Sequence, residues 1–205
     1  MAGTPPRTDS ETIAVYTRSA DAYAKGFAEI TDVDQAADLS AFLGPIPDGG
    51  LVLDLGCGPG QWAAAIRDQG YVVEATDATT AMAELAAQRF GIDVRVEPFD
   101  ALSAVARYDG VWANFSLLHA PRAAFPGHLA RVHRALKPGG MFHIGMKLGT
   151  DEGRDHLGRF YAYYEEDELK TLLSQAGFTT TRTRRGHGKG LAGTDDTFAI
   201  LTAHA

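Results

Sequence analysis

Two stretches of the chain hold residue types at spacings suited to chemistry. The first is LVLDLGCGPGQW, residues 51–62, where an apolar run ends in an acid and glycines follow at alternate positions: Gly56, Gly58 and Gly60. Glycine in a tight turn after a strand supplies left-handed backbone angles and allows close approach to a ligand. The turn's N–H groups and the start of the next helix favour negative charge, so the ligand suggested is part of a nucleotide. The second stretch is ANFSLLH, residues 113–119, which ends in His119 just beyond an apolar run. A histidine there can take or donate a proton near neutral pH. It also suits a plain turn residue ahead of Pro121.

The glycine spacing narrows the choice of nucleotide. A dinucleotide loop wants Gly-x-Gly-x-x-Gly, and Gln61 stands where its last glycine would be. A P-loop would end in Gly-Lys-Ser/Thr, which is absent. The pattern is Gly-x-Gly-x-Gly, preceded by Asp54. Asp77 ends the next apolar run, where a carboxylate can accept from two adjacent ribose hydroxyls. It is equally placed to cap the helix that follows. Asp100 suits the cap of ALSAVA. Cys57 reads as a small buried filler, and Trp62 as core.

These residues need elements to position them. Strand-like runs alternate with helical patterns from residue 51 onward, which is the signature of a parallel α/β sheet. The strands read as 51–55, 71–76, 93–97, 108–114 and 141–149, the last preceded by the LKPGG turn. The intervening helices include Gln61–Gln69 and one with Met82, Leu85, Ala86 and Phe90 on a single face. A last helix, EEDELKTLLSQA, opens with acids and stops at Gly177. Residues 178–184 and 197–203 read as two late strands, paired antiparallel. Ahead of the sheet, residues 10–43 read as helices, and residues 1–9 as an unstructured start.

The bulk numbers agree with a soluble globular protein. The chain has 205 residues, a net charge of −7 and one cysteine. That excludes a disulfide framework and a cysteine-rich zinc site, suggests a reducing, cytoplasmic setting, and argues against a large nucleic-acid footprint. No apolar run reaches a membrane span, and MAGTPPRTDS lacks the apolar centre of a secretory signal.

Asp54-Leu55-Gly56-Cys57-Gly58-Pro59-Gly60 resembles motif I of the class I S-adenosylmethionine-dependent methyltransferases. Asp77, Asp100, Asn114 and the LKPGG turn resemble further features of that family in the same order, over about residues 10–180. The resemblance implies a Rossmann-like, doubly wound α/β fold. Its seven-stranded sheet is mostly parallel with a C-terminal antiparallel strand. An N-terminal helical lid (1–45) precedes the methyltransferase domain (46–205). It implies S-adenosyl-L-methionine as a consumed cofactor, with S-adenosyl-L-homocysteine as product. The cofactor would meet Asp54, Gly56, Cys57, Gly58 and Gly60. Asp77, Ala78 and Met82 would hold its ribose side, and Asp100, Ala101 and Asn114 would lie near the adenine and the strand ends. Tyr16 and Arg18 of the front helix would reach the methionine carboxylate.

The acceptor side is read more coarsely. Asn114-Phe115-Ser116 differs from the Pro-Pro-aromatic motif of amino-directed DNA methyltransferases. His119 is the catalytic candidate, and Ser116 and Tyr23 are candidate substrate contacts. The segment after strand five carries Lys147, Arg154, Arg159 and Tyr161, and reads as a long loop that folds over the substrate. Its three cations suggest an anionic group on a small-molecule acceptor, unless Asp151, Glu152 and Asp155 neutralise them. The basic run RTRRGHGKG (182–190) suits a charged hairpin at a sheet edge or an RNA contact. Two rivals stay open: an RNA or tRNA nucleoside methyltransferase, and a non-catalytic S-adenosylmethionine-binding module.

Overall fold

The computed structural model describes residues 9–27, 33–189 and 192–205, with side chains from 9–20 and from 34 onward within those ranges. Its centre is a seven-stranded sheet in the order β3-β2-β1-β4-β5-β9-β8. The strands are β1 (Leu51–Leu55), β2 (Val72–Asp77), β3 (Val94–Val96), β4 (Tyr108–Asn114), β5 (Leu136–Lys147), β8 (Thr179–Lys189) and β9 (Asp195–His204). All neighbours among β1 to β5 pair in parallel, and β9 runs antiparallel to both β5 and β8. The expected fold class is thus observed. The KPGG turn lies inside β5 as an irregularity, since the β4 pairing jumps from Leu136 to Met141.

Helices cover both faces because the inner strands are apolar on both sides. One face carries Leu53, Leu55, Val111, Phe142 and Ile144 under α5 (Phe125–Ala135) and α6 (Glu166–Gln175). The other carries Val52 and Trp112 under α2 (Val33–Leu43) and α3 (Gln61–Asp68). Alternate residues of one strand point to opposite faces, so Asp54 shares the second face with Val52. α4 (Thr80–Phe90) packs Ala86 against Ala63, Ala64 and Ala75. α2 is part of the core: Leu39, Phe42 and Leu43 are buried there, and the Phe42 ring lies 5.2 Å from that of Trp112.

β1 and β4 are neighbours, with Leu53 opposite Val111 and Asp54 opposite Trp112. The chain leaves β1 toward β2 and β3, and returns on the other side through β4 and β5. Their carboxyl ends therefore flank a crevice at a topological switch point, where ligands of such sheets bind. The helix α1 (Ser10–Phe27) closes over this edge. Thr12 Oγ1 accepts from the Phe160 N–H at 2.8 Å, and Asp9 pairs with Arg154 through two bonds.

The long loop expected after β5 contains a hairpin, β6 (Glu152–Arg154) and β7 (Phe160–Ala162). Strands of three residues are too short to leave a periodic signal. The turn is built by Asp155, which accepts from the N–H groups of Leu157 and Arg159. Arg122 secures the hairpin by binding the Tyr163 carbonyl and Glu168, with its guanidinium over the Tyr164 ring.

Replacing a fully buried aromatic leaves a cavity. Phe42→Ala is expected to lower stability by about 3–5 kcal/mol, read from the midpoint of a urea unfolding curve.

Candidate active site

The loop after β1 is laced to β2. The N–H groups of Gly56 and Cys57 both donate to the Thr76 carbonyl, at 2.8 and 2.9 Å. Gly56 has φ +75°, and a Cβ on it would lie 2.4 Å from the Ser116 Cβ. Gly60 has φ +86°, and its Cβ would meet that of Ala86 at 2.7 Å. Both positions therefore require glycine on two counts, backbone angle and space.

Asp77 joins this loop to the next helix. One carboxylate oxygen accepts from the Gly58 N–H at 2.9 Å, and the other from the Thr79 N–H at 2.8 Å. The cap reading and the ligand reading are compatible, because a carboxylate has about four acceptor sites. Burial is the largest influence on Asp77 and raises its pKa. Asp54 is only 2% exposed, and the Ala63 amide in the first turn of α3 acts to lower its pKa. Burial first, and Asp77 second, push it up to about 8. Cys57 is buried and its thiol is pushed up by burial, which suits a filler and not a nucleophile.

Two buried acceptors flank the glycine loop without a hydrogen-bond partner: Asp54 Oδ2 in β1 and Gln61 Oε1 at the start of α3. Orphaned acceptors beside a glycine cradle fit a ligand that carries N–H donors and lies close to the backbone. The chemistry of S-adenosylmethionine meets both needs, with an ammonium for the orphans and ribose hydroxyls for Asp77. The other expected contacts vary. Ala78 and Asp100 are half-buried, Ala101 is exposed, and Met82 is buried within α4. Arg18 is exposed on α1.

On the acceptor side the structure brings Tyr16, His119, Arg159, Tyr161 and Lys147 together. His119 Nδ1 lies 2.6 Å from the Phe160 carbonyl, and Nε2 lies 2.8 Å from the Tyr16 hydroxyl. A carbonyl can only accept, so Nδ1 carries the proton and Nε2 presents a lone pair to Tyr16. Burial is the main cause that lowers His119 to about 4, and Arg159 and Lys147 add to it. The ring is therefore neutral at physiological pH. Arg159 is itself buried, held by Asp155 at 2.6 Å, and donates to the Tyr16 oxygen at 3.3 Å. Tyr161 lies with its ring 4.7 Å from His119 and under the Lys147 ammonium at 4.1 Å.

Each cation of the expected trio has its own acid. Lys147 pairs with Asp196 at 2.6 Å, Arg154 with Asp9 and Glu11, and Arg159 with Asp155. Of the three acids expected to neutralise them, only Asp155 does so. The basic run is likewise neutralised: Arg182 and Arg184 bind Asp38 of α2, and Arg185 binds Glu166 of α6.

Some expected contacts are turned elsewhere. Ser116 is buried and donates to the Leu55 carbonyl at 2.6 Å, so it braces the glycine loop rather than facing an acceptor. The Asn114 amide binds Gln35 of α2 and His143, on the α2 face. Tyr23 lies on α1, but its side chain is outside the described residues. His128 and His133 of α5 sit half-buried against Phe99 and Phe178. Sequence reasoning missed two features. His143 is fully buried and stacked on Trp112, with ring centres 3.4 Å apart. Phe115 takes φ +56° directly after β4, a strained angle for a bulky residue. A histidine inside an apolar strand is the one available signal for the former.

Fold and loop together define a nucleotide-binding enzyme of the Rossmann-like methyltransferase class. A family model described as a methyltransferase domain matches residues 52–140. Comparison with curated proteins gives no match. Among solved structures, 1,6-didemethyltoxoflavin-N1-methyltransferase of Burkholderia thailandensis, bound to 1,6-didemethyltoxoflavin and S-adenosylhomocysteine, is 28% identical. The match covers 99% of this chain and 92% of that one, with a TM-score of 0.74. A methyltransferase of Haloferax volcanii in complex with the Trm112 methyltransferase activator is 18% identical, covering 95% and 97%, at a TM-score of 0.77. An S-adenosylmethionine-dependent methyltransferase of Mesorhizobium loti is 18% identical, covering 85% and 99%, at 0.67. The domain match and these structures support a class I S-adenosylmethionine-dependent methyltransferase. No helix among the described residues is long and apolar enough to cross a membrane.

Asp77→Ala is expected to weaken S-adenosylhomocysteine binding roughly 10- to 100-fold by calorimetry, as charge-assisted bonds and the loop anchor are lost. In a histidine-selective NMR titration, the His119 ring should stay neutral, protonated at Nδ1, down to about pH 4. Unfolded, the same ring takes up its proton near pH 6.5. The stability present above that pH should therefore fall as pH drops from about 6.5 to about 4.

Proposed function

We propose that this enzyme methylates a small, uncharged acceptor at a nitrogen or oxygen that carries a proton, with His119 as the base. The observation that carries this reading is the fixed, neutral His119 ring, with its Nε2 lone pair directed at a hydroxyl beside the cofactor loop. S-adenosylmethionine, once bound, supplies a methyl group on a sulfonium, and the protein's task is alignment and dryness. In the structure the Tyr16 hydroxyl occupies Nε2, and the acceptor's N–H or O–H would take its place there. The Phe160 carbonyl holds the ring through Nδ1 and accepts the charge-assisted bond once Nε2 is protonated. α1 and the β6–β7 hairpin would cover the reaction from water, held by Thr12 on Phe160 and Asp9 on Arg154.

The small-molecule reading draws support from the relative that acts on 1,6-didemethyltoxoflavin. The uncharged reading draws support from the paired cations: an acceptor carboxylate would have to break one of the Lys147, Arg154 or Arg159 ion pairs. An RNA acceptor has less support, since Arg182, Arg184 and Arg185 already bind acids.

The test is S-adenosylhomocysteine release with 1,6-didemethyltoxoflavin and other neutral N–H heterocycles, against carboxylic acids and bulk tRNA. Turnover of acids or tRNA with the neutral compounds inert would overturn the reading. With a competent acceptor, His119→Ala should lower kcat by roughly 10²- to 10⁴-fold and leave cofactor affinity near wild type.

A further inference from the structure

The glycine loop holds a buried acid that the acceptor chemistry does not use. Asp54 is the next-to-last residue of β1, on the sheet face that α3 covers, and the cap position of that helix is Gly60, which has no side chain to offer. Against the larger effect of burial, the Ala63 amide of that helix's first turn acts on the Asp54 carboxyl and lowers its pKa. Its second oxygen, Oδ2, is buried without a partner. The Gln61 Oε1 is orphaned at the same helix start.

Among the described residues, the groups acting on Asp54 are all neutral or acidic. Asp77 faces it from β2, Cys57 from the loop and the Ala63 amide from α3, while Tyr16 reaches toward Asp77 from α1. No cation appears among them. A carboxylate with one bare oxygen, out of water and beside a second acid, is an unfavourable place for a charge. A neutral carboxylic acid is the form that such a site favours, and it is the form that burial and Asp77 select up to about pH 8.

The cofactor changes that balance, because it carries the cation that the site lacks. We propose that Asp54 is a neutral carboxylic acid in the cofactor-free protein, and that the methionine ammonium of the cofactor ionises it, so that binding releases one proton. Carboxylic acid and ammonium become a carboxylate–ammonium pair, and the carboxyl proton leaves to solvent. No covalent bond of the cofactor forms or breaks, and Gln61 Oε1 is placed to accept a further ammonium hydrogen. The inference rests on cofactor binding alone, so it stands or falls independently of the acceptor.

Calorimetry of S-adenosylhomocysteine with the full chain tests it, in two buffers of different ionisation enthalpy at pH 7. The expected result is release of close to one proton. Affinity should rise by up to about tenfold per pH unit as pH increases, and level off near pH 8, where free Asp54 is already ionised. In the infrared spectrum, wild-type protein should show a protonated carboxyl stretch that disappears on adding S-adenosylhomocysteine. Asp54→Asn should bind with an enthalpy independent of buffer, while Asp77→Asn should still release the proton. Buffer-independent binding by the wild type would overturn the proposal. So would proton release that survives in Asp54→Asn, or release lost only in Asp77→Asn. The infrared measurement needs no variant, so the proposal can fail even if Asp54→Asn does not fold.

Discussion

The absence of two side chains shapes the ligand end of this molecule. Gly56 lies against Ser116 and Gly60 against Ala86, each at a distance no Cβ could occupy. The first contact brings the loop after β1 against the segment after β4, and the second seats α3 on α4. Because the loop is pressed into this gap, its N–H groups are directed at Thr76 and Asp77, and its outer side is left as bare backbone. A larger side chain at either point would lift the loop from β2 and displace Asp77, which the Gly58 amide holds.

The acids around this loop divide the electrostatic work. Asp77 is satisfied by two backbone amides, so its place is secure without a ligand. Asp54 is buried with its Oδ2 left without a hydrogen-bond partner. On the acceptor side the reverse holds: every cation is matched by an acid, and the histidine is neutral. The site therefore meets its cofactor with a deficit of positive charge and its acceptor with no net surplus. That contrast suits a cationic methyl donor and an uncharged nucleophile.

The acceptor side is assembled from parts far apart in the chain. Tyr16 comes from α1, His119 from the segment after β4, and Arg159 and Tyr161 from the hairpin after β5. A single residue, Asp155, organises the hairpin turn and also holds Arg159 beneath Tyr16. α2 has a different place from α1, since its Phe42 sits in the core against Trp112, while Thr12 and Tyr16 of α1 bind the β6–β7 hairpin and the segment after β4.

The amino-acid sequence determined the fold class and the cofactor, because both rest on local patterns. Strand and helix periods are set by neighbouring residues, and the Gly-x-Gly-x-Gly spacing with Asp54 and Asp77 lies within one β-α-β unit. Spacing along the chain puts Asn114, Ser116 and the cations at or after strand ends, yet their side-chain partners could not be read from it. Lys147 finds Asp196, Arg154 finds Asp9, and Asn114 finds Gln35, all across large sequence separations that only folding closes. The same holds for His119, whose tautomer is set by a carbonyl 41 residues away. Spacing along the chain can nominate a charge or a base; its state depends on burial and partners, which tertiary structure alone decides.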